Sequence, residues 1–188
     1  METIDCIKTR RSVRQFTDQP VSHEELEQII QLAAYAPSWK NTQTSRFIAV
    51  YDRAKLTQLA EECILGFKGN YNTILHAPCL VVLTTVDGRS GYERDGSFTT
   101  SKGTHWQSFD AGISAQTLCL AAHQLGLGTV VMGIYDEPRW PRWWGAGRPV
   151  RFGADCPGAS GSGTGHAQTQ GAGYAAVLPG RLKQSKTK

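Results

Sequence analysis

The stretch that decides the fold is Trp106-Gln-Ser-Phe-Asp-Ala-Gly-Ile-Ser-Ala-Gln-Thr-Leu-Cys-Leu-Ala-Ala-His-Gln-Leu125, which is apolar on most of its sides. A helix with so little polar surface is buried, so this segment predicts a central helix. Gly126 follows directly and is suited to the left-handed turn that ends a helix. Residues Thr129–Ile134 are rich in β-branched side chains and predict the next strand.

Outward from this helix, helices alternate with short apolar strands. Cys79–Thr85 is a nearly continuous apolar run, which predicts a strand covered on both faces. Ser22 and Glu25 have the spacing of a capping box at the start of an amphipathic helix. These patterns predict an α+β fold with a central antiparallel or mixed sheet flanked by helices. Further predicted elements are helices at residues 2–9 and Arg53–Leu65 and a strand at Phe47–Tyr51.

Two polar clusters lie at the edges of apolar segments near the N-terminus. Arg10, Arg11, Ser12 and Arg14 place three guanidiniums and a hydroxyl within five residues, a pattern that suits a phosphate. Such a run is also typical of a solvated face or of a nucleic-acid surface. The second cluster, residues 37–43, supplies neutral amides that suit the edge of a heteroaromatic ring. Its composition alone also fits a simple loop that ends a helix.

Together the two clusters resemble the flavin-binding segments of the nitroreductase family of FMN-dependent homodimeric reductases. Asn70 stands seven residues before Ala77-Pro78 and a buried strand, where the family places an asparagine on FMN. The run Asp110–Gly128 is similar to the family's central helix and its exit. Val130-Val131-Met132-Gly133 resembles the strand end that meets the flavin ring. The resemblance covers about residues 3–137, with four motifs in the family's order.

The resemblance implies an FMN-dependent oxidoreductase that transfers electrons from NAD(P)H to nitroaromatics, quinones or similar flat acceptors by a ping-pong mechanism. The chemistry then occurs on the flavin N5, with no catalytic side chain and no metal. It further implies an obligate homodimer, because residues 37–43 reach the flavin of the other subunit in this family. The implied cofactor-binding residues are Arg10, Arg11, Ser12, Arg14, Pro37, Ser38, Asn41, Gln43, Asn70, Val131, Met132 and Gly133.

Other interpretations stay open at this stage. A reductive dehalogenase or dehydrogenase on the same fold, a non-enzymatic flavin-binding protein, and a nucleic-acid binder acting through the basic tail are the alternatives. His123 lies among apolar helix residues and is interpreted as structural. Trp106 and Phe109 are assigned to the core or the dimer interface. Side chains assigned to the substrate pocket are Tyr92, Phe98 and His105 in or beside a glycine-rich loop.

Composition narrows the class of protein. The 188 residues carry a net charge of +4, but residues 1–137 hold 12 Lys/Arg against 15 Asp/Glu. The basic excess therefore belongs to the tail, which disfavours nucleic-acid binding by the domain. Five cysteines without Cys-x-x-Cys spacing favour free thiols in a reducing compartment over disulfides or a zinc site. No apolar run of bilayer length or signal pattern occurs, so we predict a cytoplasmic protein without membrane contact.

The character of the chain changes at Pro138. Residues 1–137 read as the flavin-binding domain, C-terminally incomplete, and residues 138–188 as an irregular tail rich in Gly, Arg and Trp. Codons for Arg139–Gly145 read one base earlier can specify an ordinary helix, so we hypothesise that the tail is translated out of frame. A disordered glycine-rich tail is the alternative. Because residues 145–173 contain nine glycines, we predict no regular strand past about residue 145.

Overall fold

The computed structural model describes residues 1–135 and, beyond them, only the backbone of two short strands at 174–177 and 180–181. Within these residues it forms five helices, a 3-10 turn at Trp39–Asn41 and five strands. The elements in chain order are α1 (Thr3–Thr9), α2 (His23–Ala33), β1 (Ser45–Val50), α3 (Arg53–Glu62), α4 (Lys68–His76), β2 (Leu80–Thr85), α5 (His105–Gln124), β3 (Leu127–Gly128), β4 (Tyr174–Val177) and β5 (Gly180–Arg181).

Local signals set the ends of two helices where the sequence predicts them. At the start of α2 the Glu25 amide donates to Ser22 Oγ at 3.1 Å, and the Ser22 amide donates to Glu25 Oε2 at 2.9 Å. This reciprocal pair is the predicted capping box. At the end of α5, Gly126 adopts φ +79°, a left-handed conformation that ends the helix at little cost only for glycine.

Strand β2 lies at the centre of a three-stranded antiparallel sheet with the order β1-β2-β4. Leu80 and Val82 belong to a core beneath α3 and α4, whereas Val81 belongs to a second core with α2 and α5. Since successive side chains of a strand point to opposite faces, both faces of β2 are covered, as predicted. A second, two-stranded sheet pairs β3 with β5. The predicted α+β class is therefore confirmed.

The prediction that the tail contributes no strand is wrong. Residues Tyr174–Val177 pair with β2 in the central sheet, with Val81 opposite Val177 and Leu83 opposite Tyr174. The argument rested on the glycines of residues 145–173, and the strand begins just after them, where apolar residues recur. This strand removes the structural support for the reading-frame hypothesis. The predicted boundary at residue 137 and the tail segment 136–173 lie outside the described residues.

Two other predicted boundaries need correction. Helix α3 ends at Glu62 rather than Leu65, because Leu65 and Gly66 adopt positive φ angles of 51° and 68° that a right-handed helix cannot continue. The strand predicted at residues 129–134 is reduced to β3 at Leu127–Gly128, followed by an isolated bridge between Ser12 and Thr129. The segment after β3 therefore forms isolated bridges at Thr129 and Val131, the first of them to the arginine-rich segment, rather than a continuous strand.

The described cysteines lie in the interior. Cys6, Cys63, Cys79 and Cys119 are all buried, and none of them is in a disulfide. Burial raises the pKa of Cys79 to about 12 and also raises the pKa of Cys119. Across residues 1–135 there is no group of three potential metal-binding side chains. Within the same residues no helix combines the length and the apolar character needed to cross a membrane.

Candidate functional site

The arginine-rich segment leaves α1 and runs beside the chain that follows β3. Helix α1 ends at Thr9, and the Val13 amide donates to the Thr129 carbonyl at 2.9 Å. The two segments approach closely at Gly128, where an added Cβ would lie 2.9 Å from Val13 Cβ. A side chain at position 128 would therefore push the segments apart. This crossing holds Ser12 and the neighbouring arginines next to the residues that precede Val131.

The three guanidiniums of this segment carry charge that no described carboxylate neutralises. Arg10 is half-buried, and Arg11 and Arg14 are exposed. Arg11 donates to the carbonyls of Lys8 and Arg10 at 2.7 and 2.8 Å. No carboxylate of residues 1–135 forms an ion pair with any of the three. A cluster of forked donors with uncompensated positive charge is suited to a phosphate.

His123 adds information on the electrostatic potential at this end of the molecule. Its Nε2 lies 2.8 Å from Thr9 Oγ1, so it connects the end of α1 to the end of α5. Burial lowers the pKa of His123, and the charges of Arg10 and Arg11 lower it further. This contact supports the interpretation of His123 as structural. Burial is the larger cause of the pKa shift, and the smaller part reflects the positive charge of the arginine segment.

Asn70 and residues 131–133 lie on the other side of the same region. Asn70 on α4 points its amide at the Ile134 carbonyl, with Nδ2 and O separated by 3.5 Å. Met132 is buried, whereas Val131 and Gly133 are exposed. The Ser12–Thr129 bridge connects this group to the arginine segment. The arginine segment, through Ser12, and Asn70 thus both contact the chain that runs from Thr129 through Val131, Met132 and Gly133 to Ile134.

The other predicted cluster, residues 37–43, forms a separate compact loop. The Gln43 amide donates to Ser38 Oγ at 2.9 Å, and the Thr42 amide donates to the Trp39 carbonyl at 2.8 Å. Pro37, Asn41 and Gln43 are exposed. No hydrogen bond among the described residues joins this loop to the arginine segment. Within one chain no described hydrogen bond therefore connects the two predicted clusters.

A buried carboxylate that the sequence analysis missed holds this loop. Asp110 on α5 is 3% exposed and accepts from the Trp39 amide through Oδ1 at 3.1 Å and Oδ2 at 3.0 Å. Its Oδ2 also accepts from Ser90 Oγ at 2.6 Å. The available signal was a charged residue inside an apolar helix, which requires polar partners when it is buried. Its partner at residue 39 could not be identified from helical spacing.

Aromatic side chains surround the start of α5. The Trp106 ring lies 4.4 Å from Trp39 and 5.7 Å from Phe109, measured between centroids. Phe109 is 59% exposed, which excludes it from the core of this chain. Trp106, Phe109, His105 and Lys102 line a shallow cavity of about 280 Å³. Of the predicted pocket residues only His105 lines it, while Tyr92 and Phe98 stack on each other at 4.9 Å.

The sequence pattern of the nitroreductase family matches residues 7–149, most of the chain. The chain belongs to the nitroreductase family. The resemblance inferred from residues 3–137 is thereby confirmed, and the match extends past the predicted boundary at residue 137.

Relatives of this nitroreductase-family chain agree with the assignment. An Archaeoglobus fulgidus protein, provisionally named NADH dehydrogenase/NAD(P)H nitroreductase, is 31% identical over 136 residues, covering 72% of this chain and 70% of that protein. The FMN reductase [NAD(P)H] of Bacillus subtilis is 32% identical over 139 residues, covering 70% of this chain. The match covers 54% of the B. subtilis protein, so this chain corresponds to about half of its length.

Solved structures show the same fold. A nitroreductase family protein from Clostridium novyi superposes with a TM-score of 0.73 at 21% identity, covering 100% of this chain and 89% of the other. The superposition supports the α+β architecture assigned to this nitroreductase-family chain.

Proposed function

We propose that this chain is an FMN-dependent oxidoreductase that transfers electrons from NAD(P)H to a flat, electron-poor acceptor such as a nitroaromatic or a quinone, by a ping-pong mechanism. Membership of the nitroreductase family makes it an NAD(P)H-dependent flavin oxidoreductase with FMN as cofactor. The observation that carries the proposal is the arginine segment, whose guanidiniums have no described carboxylate partner. Its backbone pairs with Thr129, two residues before Val131.

The residues present fit FMN. Arg10 and Ser12 would hold the phosphate and the ribityl chain, with Arg11 supporting them, because forked guanidinium donors and a hydroxyl match phosphate oxygens. Arg14 and the backbone at Met132 and Gly133 would face the pyrimidine edge of the ring. The remaining proposed contacts are Asn70 and Val131 from the same chain, and Pro37, Ser38, Asn41 and Gln43 from a second copy.

The protein's own contribution is binding, orientation and charge. FMN supplies the hydride and electron transfer chemistry. Positive charge at Arg14 and preorganised donors near the pyrimidine edge stabilise negative charge there without reorganisation during the reaction. The aromatic side chains Trp106 and Phe109 beside the cavity at the start of α5 can stack on a flat, electron-poor ring. No side chain is required as a general acid or base in this proposal.

Two further features belong to the proposal. Apolar side chains stay exposed on α1, α2 and α5, which fits a homodimer whose interface covers them; among these are Ile4, Ile7, Leu32 and Phe109. The four buried cysteines of the described residues, none of them in a disulfide, fit a reducing compartment, and we place the enzyme in the cytoplasm on that basis.

The test is a flavin titration of the purified protein. FMN should bind with quenching of its fluorescence, and the bound flavin absorbance should bleach on addition of NADH or NADPH and return with a nitroaromatic or quinone. Riboflavin is the matched control ligand: it lacks the phosphate and should bind at least tenfold more weakly, because charge-assisted bonds to Arg10 are absent. Binding without bleaching would identify a non-enzymatic flavoprotein. No FMN binding would refute the proposal.

A further inference from the structure

The loop at residues 37–43 has an unusual backbone. Lys40, Asn41 and Gln43 adopt positive φ angles of 44°, 55° and 47°, and none of them is glycine. A non-glycine residue in this region is strained and persists only where the surroundings hold it. Three such residues within four positions therefore require strong local restraints. Such strain occurs preferentially at functional sites.

The restraint at the start of this loop is the Asp110 carboxylate. Both of its oxygens accept from the Trp39 amide, immediately before the first positive φ residue. Asp110 is 3% exposed, so water does not compete for these bonds. Charge-assisted hydrogen bonds to a carboxylate are about twice as strong as those between neutral groups. Asp110 on α5 thus fixes the Trp39 amide, immediately before the strained residues begin.

The same carboxylate also holds the loop that precedes α5. Ser90 Oγ donates to Asp110 Oδ2 at 2.6 Å, and both groups are buried. Farther along this loop, Glu93 accepts from Lys40 Nζ at 3.0 Å and from Thr99 Oγ1 at 2.6 Å. The Lys40–Glu93 pair is exposed and contributes little by itself. Asp110 is therefore the buried connection between the two loops.

We propose that Asp110 is a positioning residue that holds residues 38–43 in the strained shape needed to present Ser38, Asn41 and Gln43 to the flavin. This inference rests on the proposed function, which assigns those three residues to FMN. Asp110 does not touch the cofactor in this proposal. It acts by fixing the Trp39 amide. Its bond to Ser90 holds the adjoining loop, which has no role in presenting residues 38–43 to the flavin.

The decisive variant is Asp110→Asn, which keeps the size of the side chain but loses one acceptor oxygen and the charge. Ser90→Ala is the matched control, because it removes one donor to the same carboxylate and leaves both contacts to the Trp39 amide. Hydrogen exchange of peptides spanning residues 37–43 is measured without FMN. FMN affinity, kcat, KM and Tm are measured on the same proteins.

For Asp110→Asn we expect exchange in residues 37–43 about tenfold faster and FMN binding about tenfold weaker than in the wild type. For Ser90→Ala we expect FMN affinity within about threefold of the wild type. Wild-type exchange and wild-type FMN affinity in Asp110→Asn would overturn the inference. Losses of FMN affinity that follow Tm equally in both variants would also overturn it, because they would indicate only a structural role.

The proposed function can fail separately. If the wild-type protein binds no FMN, that function is wrong, and the presentation of Ser38, Asn41 and Gln43 to flavin is wrong with it. The exchange experiment still determines whether Asp110 holds the segment, since it needs no cofactor. If the wild type binds FMN and Asp110→Asn behaves like it, the function stands and the positioning role is rejected.

Discussion

At the scale of single residues, Arg10 is the most direct test of the anion site. Replacing it with alanine removes a guanidinium that no described carboxylate neutralises and leaves the fold's cores untouched. Because a charge-assisted hydrogen bond contributes about 1.5 to 3 kcal/mol, Arg10→Ala should weaken FMN binding about tenfold or more. Fluorescence titration with FMN measures the change.

The control for this variant is Arg94→Ala, which removes an equal charge from an exposed position in the loop before α5. It should leave FMN affinity within about twofold, because the proposal assigns Arg94 no contact with FMN and salt screens exposed charges. Equal affinity of Arg10→Ala and the wild type would remove Arg10 from the phosphate site.

At the same scale, a cluster of chain neighbours could be predicted from the sequence, whereas a long-range contact could not. Arg10, Ser12 and Arg14 are visible as a pattern because they are neighbours in the chain, and the structure keeps them together beside Thr129. The contact of Asp110 was not predicted because its partner, the Trp39 amide, is 71 residues away in the chain. Side-chain-to-backbone bonds of that range depend on how helix and loop pack, and no local spacing encodes them.

At the scale of elements, prediction worked where short-range chemistry decides. The capping box at Ser22 and the left-handed Gly126 depend on residues within one helical turn, and both form. The strand predicted at residues 129–134 failed because β propensity depends on the neighbour available for pairing. There the neighbour is the segment at Ser12, which offers an isolated bridge rather than a ladder.

We expect strand β4 to stabilise the central sheet. Removing residues 174–188 should expose the edge of β2 and lower the free energy of unfolding by about 2 kcal/mol or more, from lost backbone bonds worth about 1 kcal/mol each. The open edge should also promote aggregation. Urea denaturation and size-exclusion chromatography measure both effects.

The matched truncation removes only residues 182–188 and keeps both β4 and β5. Its urea midpoint should equal that of the full chain. If the longer truncation unfolds at the same midpoint as this control, β4 does not stabilise the central sheet.

At the scale of the whole molecule, the exposed apolar side chains predict assembly. Ile4 on α1 is 65% exposed and Tyr35 after α2 is 82% exposed, and both α1 and α2 pack on α5. If a second copy covers this surface and supplies Asn41 and Gln43 to the flavin, Ile4→Glu should shift the protein toward monomers and lower FMN occupancy together. Light scattering and flavin absorbance measure the two quantities.

Leu65→Glu is the corresponding control, since Leu65 is also 65% exposed but lies between α3 and α4. It should leave both the mass and the FMN occupancy unchanged. A stable Ile4→Glu monomer with full FMN occupancy would show that one chain binds the flavin alone.

The buried thiols have a practical consequence for chemical labelling. Because burial raises the pKa of Cys79 to about 12, very little of this thiol is ionised at pH 8 in the folded protein. Alkylating reagents attack the thiolate, so this side chain reacts mainly when the surrounding core opens. The rate of Cys79 modification, monitored by mass spectrometry of its peptide, therefore measures how often the core that α2 and α5 share with β2 opens.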